Sequence, residues 1–198
     1  MARTIAKDHD EKRGQILKSA AKVFAEAGYD RASMTQLARE CGISKANIYH
    51  YYDSKEAVLF GLLDTYLREL RDRVCGVELE GCSAEEKLRR IVSEILLAYQ
   101  GADHEHQVQI SAMGALPEDQ QQLLRGYQRE LVKIVSGALR EVAPEVFGGE
   151  AGKLRAATMS VFGMRNWYYM WNSGAGSQAR ADDARLAADM ILNGAKGL

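Results

Sequence analysis

Residues 33–57 read SMTQLARECGISKANIYHYYDSKEA and determine the organisation of the N-terminal part of the chain. Ser33, with a glutamine three residues later, is typical of a capping box that starts a helix. Gly42 can adopt the left-handed conformation that ends this helix. Ser44 can then cap a second helix that begins at Lys45. Two short helices joined by such a turn predict a helix-turn-helix, which presents its second helix to a DNA major groove.

The composition is that of an ordinary globular chain, with 198 residues, 46% apolar and 27% charged. The two prolines favour an almost wholly helical fold. No apolar run approaches the roughly 18 to 20 residues of a membrane helix, and the N-terminus lacks the apolar segment of a secretory signal. The three cysteines have no zinc-site spacing and suit a reducing compartment, so we expect a cytoplasmic protein that does not bind membranes.

Charge is distributed unevenly along the chain. Residues 1–55 contain 10 Lys or Arg against 7 Asp or Glu, whereas residues 56–198 contain 16 against 20. A mildly basic first quarter is compatible with DNA binding, but the difference is too small to indicate it alone.

Apolar residues at helical spacing predict an all-α fold with nine helices. Three of these form a helix-turn-helix DNA-binding domain over residues 1–53. Six more extend over residues 54–198, a domain for which a family resemblance implies ligand binding and dimerisation. Their approximate ranges are 11–27, 33–41, 45–51, 54–74, 83–99, 108–116, 117–144, 150–171 and 178–193.

The pattern between about residues 12 and 60 resembles the TetR family of bacterial repressors. Tyr52 stands where the family usually has Phe, and Cys41 where Ala is usual. The resemblance implies a homodimer on a palindromic DNA operator, held together by its last two helices and released by a small molecule in the C-terminal domain. The matching residues are Ala20, Phe24, Gly28-Tyr29, Ser33, Leu37-Ala38, Cys41-Gly42-Ile43-Ser44, Ile48-Tyr49, Tyr52, Ser54-Lys55-Glu56 and Leu59.

The second helix of the motif contains the candidate base-reading residues. Lys45, Ala46 and Asn47 lie on its first turn, where side chains reach base edges. A lysine can donate to guanine and an asparagine can pair with adenine. The alternative is that these residues are polar only because the start of a helix is solvated.

Phosphate contacts are expected around this helix. The resemblance implies them for Tyr49, His50 and Lys55, although His50 can also be an ordinary exposed histidine. Ser33 and Thr35 begin the preceding helix, whose N-terminus favours a phosphate, although Ser33 can act as a cap alone. The complete predicted DNA-contact set is Ser33, Thr35, Ser44, Lys45, Ala46, Asn47, Tyr49, His50 and Lys55.

Large residues of the C-terminal part are candidates for a ligand pocket, or alternatively for core packing alone. The segment 163–194 resembles the acyl-CoA-responsive subgroup of the family, in which Arg165 would meet a phosphate. Tyr168 to Met170 and the run NSGAG from Asn172 depart from the pattern of that subgroup. The predicted ligand set is Tyr66, Tyr99, Met113, Tyr127, Arg165, Trp167 and Trp171.

Alternatives remain for other parts of the sequence. A DNA-binding dimer without a ligand would need no pocket. A helical enzyme would use His104 or His106 with Glu105, but nothing supplies a nucleophile with an ordered base. A metal site would use His104 and His106 with Asp103 and Glu105, but the spacing fixes no further ligand. We therefore expect no catalytic residues, no metal and no cofactor. A stripe of small residues, Ala156, Ala157, Ser160 and Gly163, suits the dimer interface.

Overall fold

The computed structural model describes residues 2–166, 172 and 176–195. Within these residues there are ten α-helices, one 3₁₀ turn and no strand, which confirms the predicted all-α class. The helices are α1 (Ala2–Ala27), α2 (Met34–Cys41), α3 (Lys45–Tyr49), α4 (Lys55–Cys75), α5 (Ala84–Ala98), α6 (Asp103–Ala112), α7 (Glu118–Val142), α8 (Pro144–Phe147), α9 (Ala151–Asn166) and α10 (Ser177–Ala195); the 3₁₀ turn is Met113–Ala115.

The prediction of nine helices is one short of the number in the described residues. The additional helix is α8, a single turn with Pro144 in its first turn, where the proline needs no hydrogen-bond donor. Two helices also begin earlier than predicted: α1 at Ala2, and α6 at Asp103. Polar residues dominate both of these starts, so apolar periodicity could not reveal them.

The chain packs as two compact units. The first consists of Met1–Leu67 and His104–Leu124, and the second of Arg68–Asp103 and Arg125–Leu198. The helix-turn-helix therefore shares its unit with the first half of α4 and with α6. The functional boundary between residues 53 and 54 stays a prediction, because compactness and function need not divide a chain at the same place.

The first unit has its core beneath the helix-turn-helix. Phe24 of α1, Leu37 of α2, Ile48 of α3 and Leu59 of α4 are at most 1% exposed. Apolar burial of this kind stabilises each helix by roughly 1.5 to 3 kcal/mol per large side chain. The helix-turn-helix is thus held by one buried side of each of its helices.

The second unit is built around α5, which packs against α10. The buried side of α5 includes Leu88, Ile91 and Ile95. Arg180 of α10, only 1% exposed, donates to the Asp103 carboxylate at 3.3 Å. None of the described helices is long and apolar enough to cross a membrane.

The turn between α2 and α3 depends on Gly42. Its φ is +64°, in the left-handed region, and its N–H and that of Ile43 donate to carbonyls at the end of α2. A Cβ added at Gly42 would meet no atom within 4 Å, so only the backbone conformation requires glycine here.

We expect Gly42→Ala to lower the free energy of unfolding by about 1 to 2 kcal/mol, because alanine is strained in the left-handed region. Denaturant unfolding measures this change. Gly14→Ala in α1 is the matched control, since its Cβ also enters open space but in a helix, and it should stabilise by about 0.5 to 1 kcal/mol. Equal effects of both substitutions on the free energy of unfolding would contradict the conclusion that the backbone conformation requires glycine at position 42.

Candidate nucleic-acid interface

Both helices of the motif begin with serine caps, as predicted. The Ser33 hydroxyl accepts from the Gln36 backbone N–H at 3.2 Å, and the Gln36 side chain accepts from the Ser33 N–H at 2.8 Å. The Ser44 hydroxyl accepts from the Asn47 N–H at 3.1 Å. Each cap satisfies donors that a helix start leaves open, so both helix starts are fixed locally.

The second helix of the motif, α3, has one buried residue and four exposed ones. Ile48 is fully buried and fixes the rotation of the helix. Lys45, Ala46, Asn47 and Tyr49 are exposed, as is the capping residue His50. Five of the predicted DNA-contact residues thus lie together on one solvent-facing surface, which we call the α3 surface: Lys45, Ala46, Asn47, Tyr49 and His50.

Two α3 side chains are arranged side by side. The Lys45 ammonium lies 5.7 Å from the centre of the Tyr49 ring, one helical turn away. Tyr49 is 42% exposed, which leaves its hydroxyl able to donate to a phosphate. Thr35 is exposed at the start of α2, whereas the hydroxyls of Ser33 and Ser44 already act as caps.

Lys55 has a different environment from the one expected for a phosphate contact. Its ammonium donates to the carbonyls of Tyr29 at 2.9 Å, Asp30 at 3.3 Å and Ala32 at 3.1 Å. An ammonium has three donors, so all of them are used inside the protein. Lys55 therefore joins the start of α4 to the turn that follows α1.

The Tyr29 ring completes the contacts of Lys55. The ammonium lies 4.4 Å from the ring centre, a cation–π distance. Burial, followed by the charges of Glu56 and Asp30, raises the pKa of the Tyr29 phenol. The ring is therefore neutral at physiological pH.

A contact between α1 and the end of α3 has no signal in the sequence. The His9 ring lies 4.9 Å from the Tyr51 ring, and the His50 ring meets the same tyrosine edge-on at 5.2 Å. The guanidinium of Arg13 lies 5.0 Å from the centre of the Tyr52 ring. Because the predicted α1 began at residue 11, His9 was outside any helix and gave no signal.

The predicted ligand residues are divided between the two units. In the first, the buried Tyr66 hydroxyl lies 3.0 Å from Nδ1 of His106, and Met113 is half-buried. In the second, Tyr99 is buried, and the guanidinium of Arg71 lies 4.9 Å from the Tyr127 ring centre. Trp167, Trp171 and the side chain of Arg165 lie outside the described residues.

The two histidines of α6 also differ in their exposure to solvent. His106 is 2% exposed beside Tyr66, whereas His104 is exposed. Across the part of the chain that the structure describes, no three His, Cys, Asp or Glu side chains are grouped as metal ligands.

Two family profiles match the chain, one in its N-terminal part and one in its C-terminal part. The profile described as "Bacterial regulatory proteins, tetR family" matches residues 16–62, and "Tetracyclin repressor-like, C-terminal domain" matches residues 81–195. The chain therefore belongs to the TetR family of helix-turn-helix transcriptional regulators, which are not enzymes.

Individual proteins agree with this assignment. A TetR-family regulator from Bordetella parapertussis 12822 is 35% identical, with a TM-score of 0.84 over 91% of this chain and 94% of that one. The structure of AibR in complex with isovaleryl coenzyme A and operator DNA is 20% identical, with a TM-score of 0.72 over 91% of this chain and 96% of that one, and shows a shared fold. The fatty acid metabolism regulator protein of Bacillus subtilis is 26% identical over 75% of this chain and 77% of that protein.

Other curated relatives match over shorter stretches. The chain spans 28%, 31% and 29% of the length of three curated regulators it matches.

The geometry of the two lysines predicts different effects of removing them. Lys45→Ala should reduce the slope of log affinity against log salt by about one, because one positive charge is lost from the surface proposed to meet the DNA. Lys55→Met should leave the slope unchanged but lower the free energy of unfolding by about 1 to 3 kcal/mol, because three carbonyls lose their donor.

The slope is measured by DNA titrations at salt concentrations between roughly 50 and 200 mM, the range in which phosphate contacts change the affinity strongly. If the Lys55→Met variant kept its stability and its slope fell by about one, the result would contradict the internal role of Lys55 and support the predicted phosphate contact.

Proposed function

We propose that the protein is a homodimeric repressor that binds a palindromic operator and is released from it by a small-molecule effector. The α3 surface contacts the bases and the neighbouring phosphates. The last two helices form the dimer. The main support for this proposal is that Lys45, Asn47 and Tyr49 of α3 are exposed to solvent, whereas Ile48 of the same helix is buried in the core.

The proposed DNA contacts follow from the position of each exposed residue on α2 and α3. Lys45, Ala46 and Asn47 are on the first turn of α3, which in a helix-turn-helix is inserted toward base edges. Tyr49 and His50 lie at its other end and reach phosphates. Ser33, Thr35 and Ser44 are at the starts of α2 and α3, where backbone N–H groups also face a phosphate.

Exposed apolar residues on α9 and α10 support the proposed dimer. Met159 and Met164 of α9 are 43% and 40% exposed, and Leu186 and Met190 of α10 are both 60% exposed. In α9 these methionines flank the exposed, small Ser160 and Gly163. Large apolar side chains on a surface beside small ones are typical of protein interfaces, where a second copy buries them.

An acyl-CoA thioester is the proposed effector. Two proteins of the same fold support this class, since AibR forms a complex with isovaleryl coenzyme A and FadR from Bacillus subtilis forms one with stearoyl-CoA. The resemblance of residues 163–194 supports it as well. Arg165 would meet a phosphate of this ligand, with Tyr66, Tyr99, Met113, Tyr127, Trp167 and Trp171 as further candidate contacts. Release requires tighter binding to the conformation that does not fit the operator, by several kcal/mol.

A DNA-binding dimer without an effector is the second candidate. It is supported by the close packing of Tyr66 and Tyr99, which are 7% and 5% exposed and so contribute to the core. A gel-shift titration against the DNA upstream of the coding sequence, repeated with CoA thioesters of different chain lengths, distinguishes the two. Release by one chain length supports the effector, and binding that no thioester changes supports the alternative.

Asn47→Ala should relax sequence preference at one base pair of each half-site by about 1 to 3 kcal/mol, because a bidentate contact to adenine is lost. Selection from random DNA measures the preference. Gln122→Ala, which removes an exposed amide from α7, is the control and should keep the parent motif. Identical motifs for the parent and Asn47→Ala would remove Asn47 from the base-reading residues.

Leu186→Glu should convert the dimer into a monomer at micromolar concentration, since a carboxylate would be buried in an apolar contact. Analytical ultracentrifugation gives the mass. Leu123→Glu is the matched control, because Leu123 is also an exposed leucine, at 47%, but lies on α7. Dimers in both variants would contradict an interface at this position on α10.

A further inference from the structure

A cleft in the second unit is not lined by any residue of the predicted ligand set. It has a volume of about 420 Å³ and lies among the end of α4, the start of α5 and the C-terminal half of α7. This volume is within the roughly 300 to 1,000 Å³ of small-molecule sites. The cleft is therefore large enough for a ligand of its own.

The inner surface of the cleft is apolar. Ile91 and Ala138 are buried at its base, while Leu79 and Ile134 are only half-buried along its sides. These side chains leave hydrocarbon surface in contact with water that an alkyl chain would cover. The lining thus favours a ligand with an extended apolar part.

The charged residues of the cleft differ in their pairing. Lys87 Nζ lies 2.7 Å from the Glu141 carboxylate, and Arg71 Nη1 lies 3.1 Å from that of Glu130. Lys133 also lines the cleft, and within the described residues no carboxylate is paired with it. One positive charge therefore remains available beside the apolar surface.

We propose that this cleft binds a monoanionic amphipathic molecule, an unesterified fatty acid, with its alkyl chain on Leu79 and Ile134 and its carboxylate at Lys133. A single small anion suits a single available lysine. The site goes beyond the proposed function, since it differs from the acyl-CoA effector in both residues and ligand.

Two residues of the cleft make the proposal testable. A Cβ added at Gly137 would meet no atom within 4 Å, so Gly137→Leu should fill the cleft without disturbing α7. Cys75 is exposed and lines the cleft, so its thiol can report whether the cleft is occupied.

The experiment uses the full chain with Cys41 and Cys82 replaced by serine, without DNA. Decanoate, the probe, should slow modification of Cys75 by N-ethylmaleimide at least tenfold at saturation, and calorimetry should give its Kd. Gly137→Leu should weaken the calorimetric Kd at least tenfold. Gly126→Leu on the same helix, where the Cβ meets only Arg129 at 3.8 Å, should not change it.

The charge preference is tested in the same assay. Decylamine should protect Cys75 at least tenfold less well than decanoate, and Lys133→Gln should remove most of this difference. Equal protection by the two compounds, protection by decanoyl-CoA but not by decanoate, or an unchanged Kd in Gly137→Leu would overturn the proposal. Because no DNA is present, these outcomes are independent of operator binding.

Discussion

A helix of five residues is too short to be stable in water on its own, and α3, the helix proposed to face DNA, is such a helix. Its position depends on the complete burial of Ile48, which places every other α3 residue at the surface. The Ser44 cap fixes where α3 starts, and the left-handed Gly42 fixes its direction. These three local constraints replace the stability that length gives to other helices.

Contacts of the residues around α3 also help to hold this helix in position. Lys55 donates three hydrogen bonds to carbonyls of the turn after α1. These hydrogen bonds hold the start of α4, and with it the segment that follows α3, against that turn. His9 and His50 meet on the Tyr51 ring, which joins α1 to the end of α3. The α3 surface is thus held in position by contacts on its protein side.

The sequence allowed the short-range features to be predicted. The caps at Ser33 and Ser44 use hydrogen bonds that span three residues, so spacing alone identifies them. The contacts of Lys55 span 23 to 26 residues and depend on the packed fold, so the sequence does not reveal them. The phosphate role predicted for Lys55 rests on the family resemblance alone. The single-turn α8 is too short to show periodicity. Ligand residues were harder still, because an aromatic side chain on a helix can equally fill a core, as the buried Tyr66 does beside His106.

The central claim is that two copies of α3 are presented to the duplex at a fixed separation. Hydroxyl-radical footprinting on DNA selected from a random pool tests it most directly. We expect two symmetric protected regions about one helical turn apart, roughly 34 Å, with base contacts in successive major grooves. A single asymmetric protected region, or protection unchanged when Lys45, Asn47 and Tyr49 are all replaced by alanine, would contradict the claim.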